Sequence, residues 1–163
     1  QLNSLFNHRY YEPSLRTLPV PALLIRQKSE AWDHPFIAVY EPYGNGAKSQ
    51  IRSVYTSKTP KQKGVAKLSV EYFKKDKMDH IIHSVNEKTE AKYMGIRFMG
   101  TYCVVTMEKG RLVSLYIGNG YSFSMDGLEV TLGEGKPFDA WLEWRDGEWI
   151  CHSREAVKIK MMK

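Results

Sequence analysis

Apolar and polar residues alternate along much of this chain, and the alternation has a period of two. Residues 66–72, 94–98 and 157–161 show it clearly, because every second side chain in each segment is apolar. Successive side chains of a β-strand point to opposite faces of a sheet, so such a segment buries one face and exposes the other. No stretch of eighteen residues has the 3.6-residue period of an amphipathic helix. The alternation therefore predicts an all-β protein.

Turn-forming residues separate the alternating segments at intervals of about 8 to 12 residues, a spacing typical of sandwiches and barrels. Asp126-Gly127 and Asp146-Gly147 favour the positive φ angles of tight hairpins, and Gly118-Asn119-Gly120 is interpreted as a further hairpin turn. We predict an antiparallel, jelly-roll-like β-sandwich of roughly twelve strands. The predicted strands are residues 22–27, 36–43, 50–56, 66–73, 77–84, 92–98, 102–107, 111–117, 121–125, 128–132, 138–144, 149–153 and 156–161.

The beginning of the chain differs from the rest. Residues 3–21 contain three prolines, and proline cannot donate to the interior of a sheet. We therefore predict an extended arm or linker at residues 1–20 and a β-sandwich domain at residues 21–163. The first residue is Gln1 and not Met, so we expect the chain to be part of a longer protein. No segment has the apolar core of a signal peptide or the length of a membrane span, so membrane binding is not predicted.

The formal net charge is +6, and the lysines concentrate at residues 58–67 and 74–77. These groups lack the interleaved aromatic side chains that stack on nucleic-acid bases. Nucleic acid is therefore not a predicted partner. A net charge of this size is common in soluble domains, and it is also compatible with binding to an acidic polysaccharide.

No motif in the sequence assigns a catalytic site, a metal site or a cofactor. Cys103 and Cys151 are too few for a disulfide framework, so free buried thiols are predicted, with one bridge between adjacent strands as the alternative. His80 and His83 lie three residues apart, and a strand turns such residues to opposite faces. Neither a nucleophile elbow nor a phosphate loop is present. We predict no catalytic residue, no metal and no cofactor.

Aromatic residues are the best candidates for binding, since the chain has four tryptophans and ten tyrosines. Trp32 follows polar residues in a predicted connection, which favours exposure. Trp141 and Trp144 share a predicted strand but face opposite ways, so one of them is predicted to point outward. We take Trp32, Tyr40 and Trp144 as candidate carbohydrate-binding residues. Packing in the core or against another domain is the alternative for each of them.

Several strand-like stretches resemble a known family. They are PALLIRQ at residues 21–27, EAW at 30–32, HPFIAVYEP at 34–42, DHIIHS at 79–84 and LYIGNG at 115–120. They resemble the C-terminal β-sandwich region of heparinase II/III-like polysaccharide lyases, and the similarity extends over most of the chain. Members of that family have an N-terminal α/α toroid and cleave acidic polysaccharides, glycosaminoglycans among them, by β-elimination. The toroid is missing here, so no catalytic residue is transferred to this chain.

The resemblance implies a non-catalytic C-terminal sandwich that supports an upstream catalytic domain and contacts acidic polysaccharide. It also implies a periplasmic or extracellular location in a bacterium. A free-standing carbohydrate-binding module is the alternative hypothesis. A third hypothesis is a small β-sandwich lyase in its own right, with His80, Tyr72 and Arg97 on one concave face.

Overall fold

Ten strands make up the regular structure in a computed structural model, which describes residues 37–41, 48–57, 62–74, 76–132 and 135–161. The strands are β1 (Ile51–Thr56), β2 (Val65–Tyr72), β3 (Lys77–Ser84), β4 (Glu90–Tyr93), β5 (Ile96–Glu108), β6 (Arg111–Met125), β7 (Leu128–Thr131), β8 (Phe138–Arg145), β9 (Glu148–Ser153) and β10 (Lys158–Met161). The chain divides into two units, Gln1–Glu30 and Ala31–Lys163, and all ten strands lie in the second. The predicted arm at residues 1–20 and the predicted strand at 22–27 lie outside the described residues.

Two long strands, β5 and β6, join two layers of one continuous antiparallel sheet. One half of each strand belongs to a layer with the order β1-β2-β3-β5-β6-β8-β9, which we call the larger layer. The other half of each strand belongs to the smaller layer, with the order β4-β5-β6-β7-β10. The predicted all-β antiparallel sandwich is confirmed. No helix among the described residues has the length and apolar character that a membrane crossing requires.

The core lies between the two layers and draws apolar side chains from both of them. Its fully buried side chains include Ile82, Val105, Leu115, Ile117 and Leu142 of the larger layer and Ile96, Phe98, Phe123, Leu128 and Val130 of the smaller one. Burial of each such side chain contributes about 1.5–3 kcal/mol. Cys103 is also in this core, and Cys151 is half-buried on β9; both thiols are free. The strands β6 and β8 separate the two cysteines, so the predicted free thiols agree with the structure, although only Cys103 is buried as predicted.

The two long strands change layer at β-bulges, which bend the sheet. The register shifts after Met99 in β5 and before Gly120 in β6. Gly100 has a φ of +154°, and a Cβ atom on it would lie 2.6 Å from the Cα atom of Gly120. The two backbones therefore approach each other more closely than any side chain would allow.

Asn119 holds this bend to its surroundings. Its side-chain amide donates hydrogen bonds to Glu87 and Thr101, and its backbone N–H donates to Asp139 on β8 at 2.7 Å. The Tyr121 hydroxyl donates to the same Glu87 carboxylate at 2.8 Å. The bend is thus fixed by contacts between segments that are distant in sequence.

Two predicted turns are confirmed, and the structure corrects one predicted turn and one predicted strand. Both residues of Asp126-Gly127 and of Asp146-Gly147 have positive φ. The predicted hairpin turn at residues 118–120 is wrong, because these residues continue β6 through a bulge. The predicted strand at residues 92–98 is interrupted by a turn at Met94-Gly95, which joins β4 to β5. Met94 is not a usual turn residue, so this turn gave only a weak signal in the sequence.

The predicted strand at residues 36–43 is also wrong where the structure describes it, since residues 37–41 form no strand. The side chain of Glu41, and not its backbone, joins this segment to the next one. Its carboxylate accepts hydrogen bonds from the Ser49 hydroxyl and from the backbone N–H groups of Gln50 and Ile51. These contacts replace the ladder of backbone hydrogen bonds that a strand would form.

A buried polar cluster connects β2, β3 and β4. Ser69 and His80 are almost fully buried, and a 2.7 Å hydrogen bond joins the Ser69 hydroxyl to Nδ1 of His80. The same hydroxyl bonds to the Tyr93 hydroxyl at 2.8 Å, and the His80 and Tyr93 rings meet edge to face. Burial lowers the pKa of His80, and the neighbouring Asp79 carboxylate opposes this effect in part. His80 is therefore neutral in the folded protein at neutral pH.

We expect the protein to lose stability as the pH falls below about 6.5, the ordinary pKa of histidine. His80 has a lower pKa in the folded chain than in the unfolded one, so the unfolded chain takes up the proton first and is favoured. Urea unfolding between about pH 7.5 and 5.5 measures the effect. The variant His80→Gln should show a smaller decline over this range. An equal decline in both proteins would contradict the assignment to His80.

Candidate functional site

Five ring side chains form a row across the outer face of the larger layer. They lie on five neighbouring strands, β3, β5, β6, β8 and β9, and we call them the aromatic row: His83, Tyr102, Tyr116, Trp141 and His152. The register places Tyr116 opposite Trp141 and Trp141 opposite His152, while Tyr102 lies opposite Gly118 and His83. Since directly opposed residues share a face of the sheet, the row runs across the strands.

Three pairs of neighbouring rings in the row contact each other. The centroids of His83 and Tyr102 are 6.4 Å apart, and those of Tyr102 and Tyr116 are 6.1 Å apart. Trp141 and His152 are stacked, with centroids 4.8 Å apart and planes inclined by 21°. Tyr102, Tyr116 and Trp141 nevertheless keep 36%, 45% and 44% of their surface exposed. Exposed rings on the central strands of a sheet form a preorganised surface for an apolar face of a ligand.

Polar contacts hold the Trp141 end of the row in place. The indole N–H of Trp141 donates a hydrogen bond to the Ser114 hydroxyl at 3.2 Å. Nε2 of His152 lies 3.7 Å from the Glu143 carboxylate, which also forms an ion pair with Arg145 at 2.9 Å. Gly118 leaves open the space between the rings of Tyr102 and Tyr116, because a Cβ atom there would contact both residues.

A second polar group lies on the same outer face, on β2, β3 and β5. The Asp79 carboxylate accepts hydrogen bonds from the Tyr72 hydroxyl at 2.7 Å and from the Thr106 hydroxyl at 2.8 Å. Burial, followed by the hydrogen bond to Asp79, raises the pKa of Tyr72 to about 12. Burial also raises the pKa of Tyr102. Both phenols are therefore protonated at neutral pH, and they serve as hydrogen-bonding groups more readily than as bases.

Comparison with known proteins identifies the family. The family model for the C-terminal domain of endo-acting ulvan lyase matches residues 51–143, which is more than half of the chain. This chain belongs to the ulvan lyase C-terminal domain family. This match confirms the prediction that the chain is a C-terminal domain of the polysaccharide lyase type. Four of the five row residues, all except His152, lie within the matched segment.

A curated relative agrees with this assignment. An endo-acting ulvan lyase of Formosa agariphila is 36% identical to this domain over 110 residues. The aligned part covers 63% of this chain but only 13% of the relative. This chain therefore corresponds to a small part of that much longer enzyme.

The two candidate residues that the structure describes, Tyr40 and Trp144, are not part of the row. The third candidate, Trp32, lies outside the described residues. Tyr40 is 86% exposed in a segment without strand structure. Trp144 is 45% exposed, but it lies on the opposite face of β8 from Trp141 and contacts Trp149 at a centroid distance of 5.4 Å. The strand alternation correctly indicated that these two tryptophans face opposite ways.

None of the five row residues was among the binding candidates predicted from the sequence. Alternation predicts the outward face of each strand separately, and Tyr102, Tyr116 and His152 all lie on outward faces. Their proximity depends on β6 pairing with β8, although β7 lies between these strands in the chain. No local pattern in the sequence specifies that pairing.

The residues of the third hypothesis are not brought together in the structure. His80 points into the buried cluster with Ser69, while Tyr72 lies on the outer face with Asp79. Arg97 belongs to the smaller layer and forms an ion pair with Glu90 on β4. The described residues contain no group of three or more His, Cys, Asp or Glu side chains that could hold a metal ion.

Proposed function

We propose that this chain is the non-catalytic C-terminal β-sandwich of a polysaccharide lyase and that it holds acidic polysaccharide on its aromatic row. The parent enzyme cleaves the polysaccharide by β-elimination in an upstream domain. Ulvan is the first substrate to test, because both the matched family and the relative of Formosa agariphila are ulvan lyases. A toroidal catalytic domain like that of the heparinase II/III-like lyases is part of this proposal, through the resemblance of residues 21–42 and 115–120.

The single observation that carries the proposal is the exposed row of rings across the larger layer. Neighbouring strands lie about 4.8 Å apart, so a row across five strands extends about 19 Å. Such a row can contact several consecutive sugar rings of an extended chain. Sugar rings have apolar C–H faces that pack on aromatic side chains, and hydroxyl groups for polar neighbours such as Ser114 and Glu143.

The chemistry of the outer face supports binding over catalysis. β-Elimination needs a base that removes a proton beside a uronic carboxylate, and an efficient base has a pKa near the working pH. The pKa values of Tyr72 and Tyr102 are raised, which makes both phenols poor bases. His80, Tyr72 and Arg97 have separate partners. The aligned part covers only 13% of the relative's length. This favours an accessory domain of a larger enzyme over a free-standing module.

The parent protein is placed outside the cytoplasm in this proposal. A polymeric substrate meets its lyase in the periplasm or outside the cell, and the relative comes from a bacterium. Fractionation of a cell that carries the parent gene would test the location directly. Recovery of the parent protein in the cytoplasm alone would refute this part.

Replacement of Trp141 with alanine should weaken binding to ulvan about two- to tenfold, because stacking of one ring contributes about 0.5–1.5 kcal/mol. Affinity electrophoresis and calorimetry of the 163-residue chain measure the change. The matched control is Phe73→Ala, which removes an exposed ring outside the row. Tyr40→Ala tests the earlier candidate in the same assay.

The proposal fails if the unmodified chain binds neither ulvan nor polygalacturonate, or if Trp141→Ala binds as well as Phe73→Ala. Incubation with either polymer should also leave the ultraviolet absorbance of unsaturated uronate unchanged. A rise in that absorbance would show that this domain is a lyase by itself and would overturn its non-catalytic role.

A further inference from the structure

A groove opens at one end of the sandwich, between the two layers. Its volume is about 750 Å³, and Trp144 and Trp149 line it on the side of the larger layer. Met161 on β10 lines it on the side of the smaller layer, and Leu128 is part of its lining as well. We call this feature the end groove. Its volume falls within the range of about 300–1,000 Å³ that is typical of sites for small ligands.

Two tryptophan rings at the mouth of the end groove remain accessible. Trp144 points toward the interlayer space but keeps 45% of its surface exposed, because β8 extends beyond the packed core. The planes of Trp144 and Trp149 are inclined by 66°, so the pair presents an indole face beside an indole edge. An aromatic corner of this kind accommodates the flat apolar side of a sugar ring.

Two cations lie on the turn that borders the end groove. Lys109 and Arg111 flank Gly110 between β5 and β6, and both line the groove. Neither is part of an ion pair with another residue in the described ranges. The turn itself is fixed, since Lys109 has a positive φ and its backbone N–H donates to the Asp76 carbonyl at 3.1 Å. These cations are therefore available to an anionic ligand.

The lining also contains the carboxylates of Glu108 and Asp126. A ligand with negative charge alone would be repelled by them. A ligand that has both carboxylate or sulfate groups and hydroxyl groups matches this lining, because Lys109 and Arg111 donate hydrogen bonds to its anionic groups and the Asp126 carboxylate accepts hydrogen bonds from its hydroxyls. An acidic oligosaccharide combines these groups with the apolar ring face that the tryptophans require.

We infer that the end groove is a second carbohydrate site, which binds an acidic segment of the polysaccharide through Trp144, Trp149, Lys109 and Arg111. The inference rests on the proposed function in its choice of ligand class, but it uses none of the residues of the aromatic row. Trp141 and Trp144 lie on opposite faces of one strand, β8. One domain would thus hold polysaccharide at two places, which raises its affinity for long chains over short ones.

The test follows the indole N–H signals of the 163-residue chain by NMR during titration with short acidic oligosaccharides prepared from ulvan. Trp→Phe variants assign each signal. We expect the signals of Trp144 and Trp149 to shift with a dissociation constant that rises about tenfold in Arg111→Gln. The matched control is Arg154→Gln, which removes the same charge at an exposed position outside the groove lining. Neutral cello-oligosaccharides of equal length should bind at least tenfold more weakly.

The outcomes separate this inference from the proposed function. If the Trp141 signal shifts while those of Trp144 and Trp149 do not, the aromatic row binds and the end groove does not, so the inference is overturned. If only the Trp144 and Trp149 signals shift, the groove is confirmed and the row fails. Equal affinity of Arg111→Gln and Arg154→Gln, or of acidic and neutral oligosaccharides, overturns the assignment to an acidic ligand.

Binding of the groove by a neighbouring protein domain is the other outcome. In that case the groove signals stay unchanged with every oligosaccharide, and the inference is lost. Lys109→Gln provides an independent variant at an exposed turn, so the test does not depend on Trp144→Ala remaining folded. Thermal unfolding of each variant confirms that the fold is intact.

Discussion

Replacement of Gly100 with alanine should lower the free energy of unfolding by about 2–4 kcal/mol. An added Cβ atom would lie 2.5 Å from Cζ of Phe98 and 2.6 Å from the Cα atom of Gly120. Phe98 is completely buried, so its ring has no free space to move into, and the contact with Gly120 is backbone. The φ of +154° adds strain for any residue with a side chain.

Urea unfolding of the wild-type chain and of Gly100→Ala measures this difference. The matched control is Gly147→Ala, because Gly147 also has a positive φ, +90°, but a Cβ atom there would meet nothing within 4 Å. That control should cost only about 1 kcal/mol, the strain of the backbone alone. Equal losses in the two variants would show that the close approach of β5 and β6 is not what makes Gly100 necessary.

The bend in β5 and β6 is a part of the fold that the sequence did not predict. Asp126-Gly127 and Asp146-Gly147 gave correct turns, because the positive φ of a tight hairpin depends on local residues. Gly118-Asn119-Gly120 has equally strong turn residues, and Asn119 does have a positive φ of 49°. Its partners Glu87, Thr101 and Asp139 lie far away in the sequence. Because of these non-local hydrogen bonds, residues that favour a hairpin turn instead form a bulge within a continuous strand.

The aromatic row was likewise predictable only where it depends on local sequence. Alternation along β8 correctly placed Trp141 and Trp144 on opposite faces of the strand. It did not indicate on which face the neighbouring strands carry further aromatic side chains. That answer depends on Tyr116 lying opposite Trp141 across the β6–β8 pair. The groove around Trp144 depends on β10 pairing with β7, which brings Met161 to the end of the sandwich. The local sequence pattern thus indicates which residues of the two surfaces point outward or lie at a strand end. Only the strand order of the sheet brings these residues next to one another.

Replacement of all three exposed rings of the row, Tyr102, Tyr116 and Trp141, with serine should weaken binding to ulvan by about 100-fold or more. Each ring contributes about 0.5–1.5 kcal/mol, so the loss of three rings removes about 1.5–4.5 kcal/mol before the coupling between Tyr102 and Tyr116, whose rings are in contact, is counted. The fold should persist, because each of these side chains is at least 36% exposed. Affinity electrophoresis and thermal unfolding on the same protein samples separate lost binding from lost structure.

The salt dependence of binding distinguishes the row from the end groove. Stacking on neutral rings is insensitive to ionic strength, whereas contacts with Lys109 and Arg111 weaken as salt screens them. The triple variant should therefore retain a weak, strongly salt-dependent interaction at the groove. Arg111→Gln should instead retain a stronger interaction that varies little with salt. If the triple variant binds no more weakly than Trp141→Ala, the tyrosines do not contact polysaccharide, and the row is better explained as a surface that packs against the rest of the lyase.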